Sequence, residues 1–191
     1  MADLLEGRLL AEETAQEALK DGYAQLCPGV IDNPYFAEHF PLPMQFMFLR
    51  GHIDYAPEDG GVFQGLYGGA AGGGKSDALL MAAAQYVDRP DFAALLFRRT
   101  YKDLSLPGAL MDRAITWWRG QPGVHWDGSN KIFRFESGAV VQFGYMQTNA
   151  DRLNYQGSEV QLVCWDELTQ FPDAIPYNYL LSRIRRSAGS D

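Results

Sequence analysis

The stretch GLYGGAAGGGKSDALL, residues 65–80, contains six glycines, and its glycine run ends at Lys75 and Ser76. Glycine loses more conformational freedom on folding than any other residue, so a run this dense weakens any helix or strand that contains it. The preceding segment VFQGLYG, residues 62–68, predicts a short strand, and the Ala- and Leu-rich residues 75–88 predict a helix. A glycine loop between a strand and a helix favours folds in which strands and helices alternate.

The spacing Gly69-x-x-x-x-Gly74-Lys75-Ser76 within this loop matches the phosphate-binding pattern called a P-loop. Glycines allow consecutive backbone N–H groups to curve around a phosphate, and the positive end of the following helix adds to the attraction. The lysine of this pattern reaches the β- and γ-phosphates, and the serine offers its hydroxyl to Mg²⁺. A purely structural turn is the alternative. The predicted phosphate-binding residues are Gly69, Gly72, Gly73, Gly74, Lys75 and Ser76.

A pair of carboxylates, Asp166 and Glu167, ends the apolar run VQLVCWDE. Ligands of open α/β sheets lie at the carboxyl ends of strands, so these side chains can meet the glycine loop. Asp166 is predicted to hold Mg²⁺ through water beside Ser76, and Glu167 to polarise the attacking water as a general base. An ordinary helix N-cap is the alternative for this pair. Together with the loop, the pair favours hydrolysis of ATP over nucleotide binding alone.

The rest of the chain divides into apolar segments of strand and helix length. Residues 1–22 predict an acidic amphipathic helix, and MQFMFLRGHI predicts a short helix before the loop. Strands that alternate with helices indicate an α/β fold with a mainly parallel sheet. After the loop, the predicted order is strand 92–100, helix 105–120, β-hairpin 130–146, strand 159–167 and helix 172–186.

Charge separates the first 60 residues from the rest of the chain. The first 60 carry 11 acidic and 3 basic side chains, whereas the remainder carries 13 of each. A neutral body does not mark a nucleic-acid surface. No apolar run is long enough to span a membrane and the N-terminus lacks signal-peptide features, so we expect a cytoplasmic protein with no membrane partner. The two cysteines and three histidines have spacings that favour neither a disulfide framework nor a zinc site.

Several segments resemble the ATPase domain of terminase large subunits, the DNA-packaging motors of tailed bacteriophages. LYGGAAGGGKS (66–76) is similar to the glycine-rich loop of one branch of that family. YQGSEVQLVCWDELTQF (155–171) resembles the family's Walker B region, and LLSRIRR (180–186) resembles the arginine-bearing helix that follows. PLPMQFMFL (41–49) resembles the segment that places a glutamine, here Gln45, on the adenine.

The resemblance implies a P-loop NTPase fold of the ASCE, RecA-like type, with ATP and Mg²⁺ as cofactors. Charge and helical spacing predict an acidic helical arm over residues 1–40, and the resemblance, which covers about residues 41–186, implies an ATPase domain over 41–191 that ends before the family's coupling motif and nuclease domain. We therefore expect Mg²⁺-dependent ATP hydrolysis that drives double-stranded DNA into a procapsid in the host cytoplasm, without nuclease activity. The expected partners are double-stranded DNA, the small terminase subunit, the portal protein and further copies of the chain in a ring.

The sequence departs from the family in two places. Ala70 and Ala71 stand where some terminases have a basic residue, and Gln156 stands where some have an arginine finger that acts on a neighbouring subunit. Arg152, near the Walker B strand, is the first substitute candidate for that catalytic arginine, and the pair Arg98 and Arg99 at a strand end is the second. Arg183 and Arg185 are the remaining candidates.

Two other functions remain open at the level of sequence. One is another P-loop ATPase that moves along DNA, such as a helicase-like translocase. The other is an assembly module that binds ATP as a gate and hydrolyses it negligibly by itself.

Overall fold

Five strands form one sheet in the part of the chain that the computed structural model describes, residues 33–36, 39–54, 62–70 and 72–185. In chain order they are β1 Ala93–Arg98, β2 Val124–Asp127, β3 Ile132–Phe135, β4 Val140–Tyr145 and β5 Leu162–Trp165. Their order across the sheet is β2-β3-β4-β1-β5. Strand β1 pairs in parallel with β4 and β5, whereas β3 pairs antiparallel with β2 and β4.

The hairpin predicted over 130–146 is confirmed as β3 and β4, which a turn containing Gly138 at φ 102° connects. The prediction of a mainly parallel sheet is wrong, because this hairpin joins the sheet through β4. It also brings in β2, which the sequence pattern did not predict. Since β4, β1 and β5 run parallel, their carboxyl ends meet at one edge of the sheet.

The helices flank this mixed sheet, and the predicted helices over 75–88, 105–120 and 172–186 are confirmed with shorter bounds. Thr100 caps a short helix of its own, since its hydroxyl accepts a hydrogen bond from Asp103 N at 3.0 Å. The α-helices are α1 Pro43–Asp54, α2 Lys75–Ala84, α3 Tyr101–Ser105, α4 Leu110–Trp118 and α5 Ile175–Leu181, and the 3₁₀ helices are η1 Pro34–Phe36, η2 Asn149–Tyr155 and η3 Leu168–Gln170.

The chain divides into two units, Met1–Pro34 and Tyr35–Asp191. Nearly all of the first unit, including the helix predicted over 1–22, lies outside the described residues. No helix within the described ranges is long and apolar enough to cross a membrane.

Residues 62–68, predicted as the strand before the glycine loop, form no strand. Within the described residues β5 is an edge of the sheet, and the bridge recorded beside it is a single parallel one between Val160 and Ile184. A strand needs a neighbour that satisfies its backbone N–H and C=O groups. The segment 62–68 instead makes side-chain contacts, since Tyr177 donates a hydrogen bond to Gln64 Oε1 at 2.7 Å. The strand expectation is therefore wrong, while the helix after the loop is confirmed.

The core lies on both faces of β1, whose residues 94–97 are all buried. On one side α4 contributes Trp118, which is fully buried and whose Nε1 donates a hydrogen bond to Tyr35 O at 2.8 Å. On the β5 side, Phe97 stacks on Trp165 with ring centroids 4.9 Å apart. The Phe97–Trp165 contact packs the end of β1, where Arg98 begins the candidate site.

Candidate functional site

The glycine loop has backbone conformations that only glycine adopts easily. Gly69, Gly72 and Gly74 have φ of 144°, 78° and 68°. A Cβ added at Gly69 or Gly72 would meet no atom within 4 Å, so open space lies over this part of the loop. Helix α2 begins directly after it, and the first bond back to the loop runs from Ala78 N to Gly74 O at 2.9 Å. The N–H groups of residues 75–77 lie in the first turn of the helix, before that bond, and therefore have no partner within the helix.

Lys75 folds back over the loop. Its Nζ donates hydrogen bonds to Gly69 O at 3.1 Å and to Ala70 O at 2.7 Å. Tyr67 adds a third contact, from its hydroxyl to Gly73 O at 3.3 Å. The ammonium group therefore lies among the loop carbonyls, within reach of any anion that the loop N–H groups hold. Ala71, which with Ala70 makes up the first departure from the family pattern, lies outside the described residues.

Gln45 is buried and joins α1 to the loop. Its Nε2 donates to Gly74 O at 2.8 Å, and its Oε1 accepts from Leu42 N at 2.8 Å. A Cβ at Gly74 would lie 2.4 Å from that Nε2, so a side chain here would displace the Gln45 amide and would also have to adopt a positive φ. Both ends of the Gln45 amide are thus engaged with backbone, whereas the sequence resemblance predicts that it contacts an adenine.

Ser76 and Asp166 meet, as the sequence predicts. Ser76 Oγ donates to Asp166 Oδ2 at 3.1 Å across 90 positions of sequence. Asp166 follows β5 directly, and its backbone N–H donates to Phe97 O of β1 at 2.9 Å. The carboxyl ends of two neighbouring parallel strands and the start of α2 therefore form one site. Two residues earlier, burial and the nearby Asp166 raise the pKa of the Cys164 thiol to about 12.

Arg98, at the end of β1, also binds the Asp166 carboxylate. Its Nε and Nη2 lie 2.8 and 2.6 Å from Oδ2, the same oxygen that Ser76 contacts. The Asp166 side chain is 2% exposed and that of Arg98 16%. Arg99 behaves differently, because its Nη1 donates to Gln170 O at 3.0 Å in an exposed contact. Sequence analysis proposed both arginines as candidates but assigned neither of them a partner. Arg98 ends one apolar run and Asp166 ends another, and parallel pairing of these two runs as neighbouring strands is the signal that would have paired the two residues.

Glu167 is exposed and has a left-handed backbone, with φ 55° and ψ 50°. For a residue other than glycine this conformation costs about 1–2 kcal/mol. It is the residue before η3, but its side chain makes no cap hydrogen bond there, so the predicted alternative of a helix N-cap does not describe Glu167. Non-glycine residues held in such conformations are common at functional sites.

Arg152 lies on η2, away from the contacts that join Ser76 to Asp166. Its guanidinium donates to Asn149 O and stands 5.8 Å from the centre of the Tyr179 ring. Arg183 approaches the same ring at 4.8 Å. The structure therefore gathers two of the arginine candidates on one tyrosine of α5. Arg185, the last candidate described, is exposed and donates to Ile184 O.

The oxygen atoms of Ser76 and Asp166 suit Mg²⁺, which prefers hydroxyl, carboxylate and water ligands. Within the described ranges no group of three or more His, Cys, Asp and Glu side chains is placed to hold a metal ion. A cation at this site would therefore take most of its ligands from water and from bound phosphates.

Two of the pockets formed by the described residues lie near the site, and the glycine loop lines neither of the two. One, of about 390 Å³, is polar and opens beside Arg99, Thr100, Asp103, Gln147, Thr169 and Gln170. The other, of about 220 Å³, is largely apolar and lies beside β5, lined by residues that include Trp165, Leu168, Phe171 and Tyr177.

A scan against protein-family models, a search of curated proteins and a search of solved structures each returned no match. The interpretation of the site therefore depends on its residues and their geometry.

Proposed function

We propose that this chain binds ATP with Mg²⁺ and hydrolyses it, within a P-loop NTPase fold. The hydrogen bond between Ser76 Oγ and Asp166 Oδ2 supports this proposal most directly. It joins the phosphate-binding pattern and the strand-end carboxylate, the two motifs that the chemistry requires, at one edge of the sheet.

The loop supplies the phosphate contacts in this proposal. The N–H groups of residues 72 and 74–76 face the phosphates, and Lys75 exchanges the Gly69 and Ala70 carbonyls for the terminal phosphate oxygens. Mg²⁺, when bound, neutralises phosphate charge beside Ser76 and Asp166. The amide of Gln45 holds the loop end at Gly74 and keeps the start of α2 aligned with it.

Glu167 acts on water in this proposal. Its exposed carboxylate directly follows Asp166, so a general base lies one residue from the cation site. The two successive carboxylates differ in exposure, since Asp166 is buried and Glu167 is exposed, which supports different roles for them.

The wider role that we propose is DNA packaging by a terminase large subunit, in the host cytoplasm. This proposal rests on the resemblance of the segments 66–76 and 155–171. Double-stranded DNA, the small terminase subunit, the portal protein and a ring of identical chains are the partners that it implies. A catalytic arginine supplied between subunits, with Arg152 as the first candidate, belongs to the same proposal.

A nucleotide-gated assembly module is the second candidate. The absence of a strand over 62–68 favours it, because the loop then lacks the strand support expected on one side. Such a module binds ATP through the same loop and shows negligible turnover alone.

Two variants test the proposal on the purified chain, by phosphate release and by binding of a fluorescent ATP analogue. Lys75→Ala is expected to weaken binding, with a loss of about 10²-fold in turnover. Glu167→Gln is expected to bind nucleotide normally and to lose about 10²-fold or more in turnover. Lys102→Ala and Glu159→Gln, at exposed positions outside the site, are the matched controls.

The outcomes separate the candidates. Native turnover in Glu167→Gln contradicts the base assignment, and nucleotide binding that survives Lys75→Ala unchanged contradicts the phosphate site. Binding without turnover in the native chain favours the gated module. A change in turnover when duplex DNA is added supports a translocase.

A further inference from the structure

Asp166 concentrates its contacts on one oxygen. Ser76 Oγ, Arg98 Nε and Arg98 Nη2 all approach Oδ2, at 3.1, 2.8 and 2.6 Å. Only 2% of the Asp166 side chain is exposed, so its negative charge requires a positively charged group beside it, because an unpaired buried charge is strongly unfavourable. The guanidinium of Arg98 supplies that positive charge.

The same carboxylate is the proposed partner of Mg²⁺, so two cations share one anionic group. A guanidinium in contact with Oδ2 and a hydrated dication next to the same oxygen repel each other in a poorly solvated site. Both cannot hold their closest positions at once. A nucleotide changes this balance, because its phosphates bring enough negative charge for both cations.

We propose that Arg98 is a positioning residue that holds Asp166 in the nucleotide-free chain and is displaced from it when Mg²⁺ binds. This inference rests on the proposed function, since it assigns the cation site to Ser76 and Asp166. Arg98 keeps the carboxylate oriented toward Ser76 before the cation arrives. Mg²⁺ binding is then a competition, and the ion pair lowers the affinity of the site for Mg²⁺.

Arg99 provides a matched control beside Arg98. Both residues follow the buried part of β1, but Arg99 donates to the carbonyl of Gln170 and does not share the Asp166 carboxylate. Replacing either arginine by glutamine removes one positive charge from the same end of the strand. Removal of Arg98 alone removes the competitor.

Thermal unfolding of the full chain, titrated with Mg²⁺ in the absence of nucleotide and again with a fluorescent ATP analogue, tests the inference. Without Mg²⁺, Arg98→Gln is expected to unfold at a lower temperature than the native chain. Its midpoint for stabilisation by Mg²⁺ is expected to fall about tenfold, the effect of losing one charged hydrogen-bonded contact. Arg99→Gln is expected to keep the native midpoint. Equal midpoints in Arg98→Gln and the native chain, or no response to Mg²⁺ in either, overturn the inference.

Two further variants keep the test decisive if Arg98→Gln does not fold. Arg98→Lys keeps the charge and gives up the fork of donors, so its midpoint is expected between those of the native chain and Arg98→Gln; a native midpoint contradicts the inference. In an Asp166→Asn background, where there is no carboxylate to share, Arg98→Lys is expected to leave the Mg²⁺ response unchanged. A purely structural role for Arg98 would lower stability equally at every Mg²⁺ concentration.

The two proposals fail separately in these experiments. Loss of the proposed function appears as nucleotide binding that does not depend on Lys75. The Arg98 inference is read from the Mg²⁺ midpoint, which is measured with Mg²⁺ alone as well as with nucleotide.

Discussion

Replacing Gln45 with alanine tests whether this side chain anchors the loop or contacts an adenine. The substitution removes the acceptor of Leu42 N–H and one of the two donors to Gly74 O, while Ala78 N remains on that carbonyl. Leaving a partly buried polar group unpaired costs about 1–3 kcal/mol. For a protein of this length each kcal/mol lowers the melting temperature by about 2–4 °C, so a fall of about 2–12 °C is expected.

The assay is thermal unfolding of the nucleotide-free chain, followed by binding of fluorescent ATP and GTP analogues. If Gln45 anchors the loop at Gly74, Gln45→Ala is expected to weaken the binding of the ATP and GTP analogues by the same factor, because both nucleotides bind through the same phosphate loop. Gln85→Ala is the matched control, since Gln85 Nε2 donates to the carbonyl of Ala82 within the same turn and does not touch the loop. That variant is expected to stay within about 0.5 kcal/mol of the native chain.

Unchanged stability in Gln45→Ala, with a loss of preference for ATP over GTP, would refute the anchor and support contact with the adenine. A fall in stability with equal loss for both nucleotides would do the reverse. Gln45→Glu sharpens the comparison, because it keeps the volume and places a carboxylate oxygen against Gly74 O. The anchor predicts that this variant is less stable than Gln45→Ala at neutral pH, where two acceptors face each other.

Three further predictions follow from backbone strain, burial and hydrogen bonding. Glu167 and Lys131 both have positive φ, so Glu167→Gly and Lys131→Gly are each expected to raise the free energy of unfolding by about 1 kcal/mol. Only Glu167→Gly is expected to lose turnover. If urea denaturation shows no gain in stability for either variant, the inference of backbone strain is wrong. In a Cys27→Ser background, Cys164 is expected to resist a thiol reagent at pH 8, because burial raises its pKa to about 12, and to react on unfolding; rapid reaction in the folded chain contradicts this. The Asn149 side chain is the main cause of the lowered pKa of Asp173, so Asn149→Ala is expected to raise that pKa towards 3.8 in an NMR titration. The stability from this contact is present above pH 3.8 and is lost as the pH falls through the lowered pKa, and an unmoved pKa contradicts the assignment.

Much of the secondary structure follows from local pattern in this chain. The buried strand over 92–100, the hairpin over 130–146 and the helix after Gly74 each carry their own signal in apolar runs, turn residues or alanine content. The strand expected over 62–68 carried a similar signal and did not form, because a strand also needs a neighbouring backbone. That neighbour is a property of topology, which a local pattern does not contain.

For the site, the sequence by itself determined the chemical groups and their order: a glycine loop with Lys75 and Ser76, and two carboxylates after an apolar run. The parallel pairing of β1 with β5 decided which of these groups meet. It placed Arg98 rather than Arg99 on Asp166. The placement of α2 brought Ser76 to the same oxygen, and the placement of η2 beside α5 left Arg152 on the ring of Tyr179. These contacts join residues far apart in sequence. Which of the several arginines contacts Asp166 therefore depends on strand register and packing, which arise only when the sheet forms.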